Sequence, residues 1–504
     1  LTLKGLLPIL REHKAYKWLV EKLGEKNEHP LPLELAEPAR PFVFAALLKD
    51  LNHPIVLVVS SAEKARRYYE ELRSWTETPE DVLLFKEPDA LPYEREPWGK
   101  ETIAQRLEVL FRLAIYLTPY HNSLPFSPPL VIASIRSLLY KTTPLREFLA
   151  RTKLIKVGQQ YPFQKFLRLL DELGYRYELV VDEPGTFSYR GGILDLYPPS
   201  SRLPVRIEFF GDEIETMRLF DPGTQRSSGQ IKSFALIPAS EALPSFGPEA
   251  FKTFSSFDLS LCHPLAQNRF REDLENLRQG KHFRGIEFYI PHLYPSPGSF
   301  LDFLPEEATV IAEDFSELEA AIQNLIFQAA EVEKELTRTG EIPPNLPSPY
   351  FPSETLLIRL KKRANLTITH TEEETPISQA FLYAPLYAGQ MERLLDESLA
   401  MERTGSRVVI VTRQANRLAD MLAERGVPAE PTTAIETPPP PSSLTLVRGI
   451  LSEGWMLQSD GTHTVLLTDA EIFGWTRPAP RRPIKVHRPA PETLFGDIKP
   501  GDYV

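Results

Sequence analysis

The first 150 residues alternate between short apolar runs and amphipathic stretches. The runs at 55–59, 82–85 and 130–133 have the length and β-branched composition of strands buried on both faces. Between them, apolar positions recur at helical spacing over 62–75 and 100–116. Strands that alternate with helices predict a parallel sheet with helices packed on its faces.

The pattern changes near residue 149 to that of a small α+β module. A helix is predicted over 162–173, and Gly174 after it suits the left-handed conformation of a helix C-cap. Further strands are predicted at the positions 176–181, 187–196 and 204–210, with a Gly211-Asp212 turn leading into another at 213–220. This segment therefore interrupts the parallel-sheet pattern.

The mixed α/β pattern returns at 240–340, with strands near 285–290 and 308–312 and a helix from 317 to about 339. The proline-rich stretch 342–349 reads as a linker, because proline removes backbone donors and stiffens the chain. Beyond it, strands at 407–411 and 464–468 and a helix at 415–425 indicate another α/β unit. The expected fold class is multidomain α/β.

We divide the chain into seven segments on this basis. They are a parallel-sheet lobe, first part, at 1–148; an inserted α+β module at 149–238; the second part of the lobe at 239–342; a Pro-rich linker at 343–354; an α/β domain at 355–476; a basic, Pro-rich tether at 477–494; and the start of a further domain at 495–504. The chain begins with Leu1 and stops within an expected strand, so we expect it to be the front piece of a longer polypeptide.

Composition narrows the class of protein. The net charge of −11 means that any contact with nucleic acid must come from a local basic patch. A single cysteine, Cys262, excludes an internal disulfide framework and a Cys-based zinc cluster, and it suits a reducing, cytoplasmic location. No apolar run is long enough to span a bilayer, so no membrane partner is expected.

The usual catalytic motifs are missing from the sequence. No G-x-x-x-x-G-K-[ST] occurs, and Gly99-Lys100 is followed by Glu101 rather than Ser or Thr. H-E-x-x-H, G-x-S-x-G and G-x-G-x-x-G are absent as well. We therefore predict no catalytic residue, no metal ligand and no cofactor in this chain, which is not expected to be an enzyme by itself.

One strand carries an unusual outer face. Alternation over 204–210 places Val205, Ile207 and Phe209 toward the core, and Arg206 and Phe210 on the other side with Glu208. A two-residue Gly211-Asp212 hairpin would pair Phe210 with Glu213 and Arg206 with Met217. Arg190, beside Gly191 and Gly192, could join this face.

Arginine and aromatic residues are enriched at interface hot spots, so one interpretation is a protein-docking surface. The alternative is that the neighbouring lobe covers Phe210 and that both arginines form internal pairs. Spacing alone leaves both interpretations open.

The block 187–215 resembles the module shared by the excision-repair protein UvrB and the bacterial transcription-repair coupling factor (Mfd) family. Residues 91–94, 105–107, 220–227 and 285–289 are similar to the flanking α/β lobe of that family. Residues 468–474 and 498–504 resemble the coupling factor's next domain and the first strand of its RNA-polymerase-interacting domain, and UvrB lacks the former. UvrB also carries a phosphate-binding loop where this chain has only Ala39–Ala45, without a glycine nest or lysine. The resemblance therefore favours the coupling factor, with a degenerate, UvrB-like and helicase-like first lobe.

This resemblance implies a function in DNA repair. The family recruits UvrA to stalled RNA polymerase in transcription-coupled nucleotide excision repair, and its UvrA-docking face falls on Arg190, Arg206 and Phe210. The family's ATP-dependent motor, which translocates on double-stranded DNA and takes ATP and Mg²⁺, would lie beyond Val504, as would most of the polymerase-binding domain. This chain is expected to act as a protein-binding piece of such a protein.

Two alternatives remain from the sequence. One is a fragment of a UvrB-type excision-repair protein. The other is a non-specific nucleic-acid-binding module, because five basic residues of the tether are candidate phosphate contacts: Arg477, Arg481, Arg482, Lys485 and Arg488. No aromatic residues interleave with them, so base stacking is unsupported, and a solvated linker explains the same charges.

Overall fold

A computed structural model describes residues 1–25, 29–118, 126–369, 375–459 and 462–474. The helices and strands up to residue 151 are, in chain order, α1 (Leu7–Glu12), α2 (Lys14–Gly24), β1 (Leu31–Leu33), α3 (Arg40–Leu51), β2 (Ile55–Val59), α4 (Ala62–Trp75), β3 (Val82–Phe85), α5 (Lys100–Ala114), β4 (Leu130–Ser134), α6 (Ile135–Leu139) and α7 (Leu145–Arg151). The predicted strands at 55–59, 82–85 and 130–133 are confirmed, as is the helix at 62–75. Its N-cap Ser61 accepts a hydrogen bond from the backbone N–H of Lys64.

The module follows. Its elements are β5 (Lys153–Lys156), α8 (Phe163–Glu172), β6 (Arg176–Tyr177), β7 (Thr186–Arg190), β8 (Ile193–Tyr197), β9 (Val205–Phe210), β10 (Glu213–Phe220), β11 (Ser227–Gln230) and β12 (Ser233–Leu236). Six strands form one sheet in the order β11-β10-β9-β8-β7-β6, and α8 buries Phe166 and Leu170 against it. The single strand predicted at 187–196 is wrong, because Gly191 and Gly192 turn the chain and make an antiparallel hairpin of β7 and β8. The strand predicted at 176–181 shortens to β6.

The chain then returns to the lobe through α9 (Gly247–Phe254), α10 (Pro264–Arg278), α11 (Ile290–Leu293), β13 (Thr309–Ala312), α12 (Phe315–Arg338), α13 (Ser353–Arg363) and β14 (Leu366–Ile368). The strand predicted near 285–290 is wrong. Residues Ile286–Tyr289 form a 3-10 helix that runs into α11. Ile286, Tyr289, Ile290 and Leu293 are buried, and their spacing of three and four residues is helical rather than alternating.

The lobe is built on a parallel sheet. Its six strands lie in the order β1-β14-β13-β2-β4-β3, and each neighbouring pair is parallel. The predicted parallel-sheet lobe with an inserted module is therefore confirmed. The predicted start of the next domain at 355 differs from the structure, because β14 belongs to this sheet and α13 packs on it through Leu356 and Leu360. The Pro-rich linker is packed rather than free, since Ile342 and Leu346 are buried in the lobe's core.

A second α/β domain closes the described chain. It contains α14 (Pro376–Ala380), β15 (Phe381–Tyr383), α15 (Met391–Arg403), β16 (Arg407–Thr412), α16 (Ala415–Glu424), β17 (Ser443–Arg448), β18 (Trp455–Ser459), β19 (Thr462–Thr468) and α17 (Asp469–Phe473). Its mixed sheet has the order β15-β18-β19-β16-β17. Phe42 of α3 stacks on Trp455 with ring centroids 4.7 Å apart, so the lobe and this domain share one hydrophobic core.

Candidate protein-docking site

Two hairpin turns lie side by side at one end of the module's sheet. Gly191 and Gly192 join β7 to β8, and Gly211 and Asp212 join β9 to β10. Gly191 and Gly211 have positive φ angles of 59° and 63°, which these tight turns require and which glycine adopts without strain. The backbone N–H of Phe209 donates to the carbonyl of Gly192 at 2.8 Å, so the second hairpin is held against the first.

Phe210 is the most exposed large hydrophobic side chain at this end. It is 77% exposed, and it pairs with Glu213 across the hairpin, as predicted. Its neighbour Phe209 faces the opposite side, where its ring lies 5.1 Å from that of Phe163 and 5.8 Å from that of Phe166. The alternation that predicted an outward Phe210 and an inward Phe209 is therefore confirmed.

Arg206 lies on the same outer face but has an internal partner. Its Nε and Nη2 atoms donate to the two carboxylate oxygens of Asp195 at 2.7 and 2.8 Å. The guanidinium carbon also lies 4.8 Å from the ring centroid of Phe220. Hydrogen bonding to Asp195 raises the pKa of Arg206 above its ordinary value, so the side chain is held charged and oriented.

The predicted pairing of Arg206 with Met217 is wrong. The strand β10 carries a bulge between Ile214 and Thr216, which inserts one extra residue and shifts the register. Arg206 therefore faces Arg218, while Met217 faces Ile207 in the core. Arg218 is balanced by Glu208, whose Oε2 lies 3.2 Å from Arg218 Nη2.

Arg190 stands at the end of β7, directly beside its glycine turn. It is exposed, and it has no side-chain hydrogen bond or ion pair with any residue that the structure describes. Its register partner is Ile193, which in turn pairs with Glu208 on β9. Since neighbouring strands are about 4.8 Å apart, Arg190 lies roughly 10 Å from the backbone of Glu208, on the row next to Phe210.

The outer face of the sheet is divided into a covered and an open end. At the covered end, Val181 packs on Tyr197 and Phe220 in a small buried cluster. At the open end lie Arg190 and Phe210, with Ile193 at 43% exposure. We call Arg190, Ile193, Arg206 and Phe210 the docking face. Arg206 and Asp195 sit between the two ends.

Sequence reasoning missed Ile193 and Asp195. Both fall on the outer face by simple alternation once a turn is placed at Gly191-Gly192. The Gly-Gly dipeptide between two apolar runs is itself the signal for that turn.

The position expected to replace a phosphate loop is helical. Residues 39–45 run from a short 3-10 helix into α3, and the side chains of Arg40 and Phe42 are buried. Arg40 Nε donates to the carbonyl of Leu35 at 3.0 Å, and Phe42 stacks on Trp455. These residues thus take part in packing between the lobe and the second domain.

The remaining sequence predictions concern the basic tether, metal ligands and membrane-spanning segments. The basic tether with Arg477, Arg481, Arg482, Lys485 and Arg488, and the segment 495–504, lie outside the described residues. Within the part of the chain that the structure covers, no group of three His, Cys, Asp or Glu side chains could hold a metal ion. None of the helices in that part is both long and apolar enough to cross a membrane.

Comparison with known protein families gives a match for the module. Residues 154–241, which contain the docking face, match the family model of the UvrB interaction domain. This segment runs from β5 to just beyond β12 and so covers the predicted 149–238 module almost completely.

Nearly the whole chain is also similar to several transcription-repair-coupling factors. It is 25% identical over 517 residues to the transcription-repair-coupling factor of Bacillus subtilis, a match covering 98% of this chain and 42% of that protein. The corresponding protein of Mycobacterium tuberculosis is 28% identical over 502 residues, covering 93% of this chain and 39% of the relative. That of Haemophilus influenzae is 29% identical over 300 residues, covering 57% and 24%. The chain thus spans about two fifths of the length of the first two of these relatives. The resemblance expected from the sequence is confirmed: over nearly its whole length this chain is similar to the transcription-repair-coupling factors, as the N-terminal part of such a protein would be, and it carries a region that matches the UvrB interaction domain.

Proposed function

We propose that this chain is the part of a transcription-repair coupling factor that recruits UvrA, and that UvrA binds the docking face. The match of residues 154–241 to the UvrB interaction domain supports a protein-binding role for the module. The single observation that carries the assignment to this face is the exposure of Phe210 beside an unpaired Arg190.

The chemistry of the face defines what its partner must offer. Exposed aromatic and arginine side chains make the strongest contributions at protein interfaces when a partner desolvates them. Phe210 requires an apolar recess. Arg190 requires a carboxylate or a set of backbone carbonyls, since it has no counter-charge in the described part of this chain.

Arg206 has a different part in this interface. Asp195 already fixes Nε and Nη2, which leaves Nη1 without a hydrogen bond to any described residue. A partner carboxylate can therefore approach a guanidinium whose orientation is set in advance, which lowers the entropic cost of binding. In contrast, Arg190 would have to be ordered on binding.

The experiment is a titration of the purified chain with UvrA. We expect Arg190→Ala and Arg206→Ala each to weaken the affinity by more than about tenfold, since truncating an interface anchor costs about 2 kcal/mol or more. Arg168→Ala is the matched control, because Arg168 is an exposed arginine of the same module on α8, away from the docking face. Wild-type affinity in both docking-face variants would contradict the proposal.

The remaining activities belong to the whole protein and are proposed on the same grounds. They are binding of RNA polymerase, translocation on double-stranded DNA driven by ATP and Mg²⁺, and action in the cytoplasm. We propose that the chain itself does not hydrolyse ATP. The packing of residues 39–45 into the lobe supports this, and measurable ATP hydrolysis by the purified chain would contradict it.

A further inference from the structure

A cavity lies where the module meets the lobe. It has a volume of about 650 Å³, within the range of small-molecule sites, and its residue Arg176 pairs with Thr186, at the opposite end of β7 from Arg190. Most of its lining comes from the start of α5, the region of the module around β6, and the segment 282–287 that precedes α11, and Pro199, Ala239 and Ser240 complete it. We call it the junction cavity.

The junction cavity collects positive charge. Lys100, Arg176, His282 and Arg284 line it. Lys100 forms an ion pair with Glu183, but Arg176 and Arg284 have no side-chain hydrogen bond or ion pair with any residue in the described ranges. Two arginines from different parts of the fold therefore face one space without a hydrogen-bonded counter-ion.

The histidine in the cavity responds to this charge. The pKa of His282 is lowered by burial and, in addition, by the nearby positive charge of Arg176. Because a lowered pKa favours the neutral imidazole, the positive charge beside His282 comes from the arginines, and an anion between them would be attracted.

Glu287 is the acidic side chain that lines the same space, and it offsets little of this charge. Burial raises the pKa of Glu287 to about 7 although the nearby charge of Arg176 acts to lower it, and even a fully ionised carboxylate would balance only one of the two arginines. Its Oε2 atom is buried without a hydrogen-bond partner among the described residues. The cavity thus keeps a net positive charge.

We infer that the junction cavity binds a small anion that carries phosphate groups. Planar guanidinium groups bind phosphate oxygens in a bidentate manner, and Arg176 and Arg284 supply two of them. The start of α5 adds no anion site of its own, because the backbone N–H of Gly99 already donates to Asp89 Oδ2 at 2.7 Å, so the two arginines carry the site. The space exceeds the volume of one phosphate, so we expect a ligand with at least two.

Such a ligand would connect two parts of the fold. Arg176 belongs to the module, and Lys100 and Arg284 belong to the lobe. An anion held by both would stabilise the position of the UvrA-binding module relative to the lobe. This inference rests on the junction cavity alone and does not depend on the docking face.

The test is calorimetric titration of the whole chain with sodium pyrophosphate at fixed ionic strength. We expect saturable binding at one site per chain, and we expect Arg176→Gln and Arg284→Gln each to weaken it at least about tenfold. Arg284 is exposed, so its variant should fold normally, which thermal unfolding will check. Arg168→Gln is the control for loss of one positive charge and should bind as the wild type does.

Three outcomes would overturn the inference. The first is no binding of pyrophosphate. The second is binding that both cavity variants leave unchanged, which would place the ligand elsewhere. The third is binding of a duplex DNA oligonucleotide that depends on Arg176 while pyrophosphate does not bind, which would make the site a nucleic-acid contact. Loss of UvrA binding in the docking-face variants would not bear on any of the three.

Discussion

Arg206 and Asp195 are register partners on adjacent antiparallel strands, joined by a bidentate pair of hydrogen bonds of 2.7 and 2.8 Å. Both side chains are about three quarters buried or more. The pair fixes the arginine on the outer face while Phe220 covers one side of the guanidinium. The proposed docking of UvrA depends on this orientation. Arginine and lysine are therefore not expected to be equivalent at position 206.

Replacing Arg206 by lysine tests that dependence. Arg206→Lys keeps the charge but loses the planar fork that meets both oxygens of Asp195, so we expect it to weaken UvrA binding nearly as much as Arg206→Ala, by about tenfold. Arg218→Lys is the control, because Arg218 meets Glu208 through a single hydrogen bond of 3.2 Å. Titration with UvrA measures both. Full affinity in Arg206→Lys would show that charge alone suffices.

The turn between β7 and β8 leaves no room for a side chain at Gly192. A Cβ atom there would lie 2.8 Å from the carbonyl oxygen of Phe209, whose backbone cannot move away without disturbing the neighbouring hairpin. We expect Gly192→Ala to destabilise the protein by about 1–3 kcal/mol. Gly229→Ala is the control, since nothing lies within 4 Å of a Cβ at that position. Denaturant unfolding measures the difference, and equal stability of the two variants would contradict the close approach.

A buried ion pair joins α5 to the exit from the module. Arg106 donates to Glu241 at 2.5 and 3.0 Å, and both side chains are almost fully buried. Arg106→Met leaves the carboxylate of Glu241 buried without its partner, and we expect a loss of about 3–5 kcal/mol in the free energy of unfolding.

The double variant Arg106→Met/Glu241→Leu separates charge from packing. It removes both charges, so we expect it to recover a large share of the stability that Arg106→Met loses. The comparison is made by denaturant unfolding of the two variants and the wild type. If the double variant is less stable than Arg106→Met, the unpaired carboxylate of Glu241 is not the cause of the stability lost in the single variant.

The buried carboxyl of Glu287 predicts a dependence of stability on pH. Its pKa is about 7 in the folded protein, whereas an unfolded glutamate has a pKa of about 4.3. Between these values the folded state binds more protons, so the stabilisation is complete below the lower pKa and is lost as the pH rises through about 7. Glu287→Gln removes this loss.

We therefore expect Glu287→Gln to match the wild type near pH 4.5 and to exceed its stability near pH 8. The expected gain is on the order of 3–4 kcal/mol, because the two pKa values differ by about 2.7 and one pKa unit corresponds to about 1.4 kcal/mol. Denaturant midpoints of both proteins across this pH range provide the measurement. A constant difference between them would mean that Glu287 does not titrate in this range.

The sequence allowed much of the fold to be predicted because the signals were local. The strand Ile55–Val59 and the helix Ala62–Trp75 were predicted with their observed ends, since burial, capping and periodicity all act within a few residues. The position of β14 in the lobe's sheet could not be predicted. Its neighbour β1 lies near the N-terminus, and two helices separate its other neighbour, β13, from it.

For the docking face, the direction of side chains along one strand could be predicted, but the register between strands could not. The outward direction of Phe210 follows from alternation along one strand, and the structure agrees. The partner of Arg206 depends on the register between strands, and one bulged position in β10 changed it from Met217 to Arg218. The ion pair with Asp195 required the β7–β8 turn to be recognised first.

The measurement that tests the central claim most directly is the affinity of UvrA for two phenylalanine variants of the chain. Phe210 is 77% exposed on the docking face, and Phe327 is 68% exposed on α12, outside the module. The account predicts that Phe210→Ala weakens UvrA binding by more than about tenfold while Phe327→Ala binds as the wild type does. Wild-type affinity of a folded Phe210→Ala variant would contradict it.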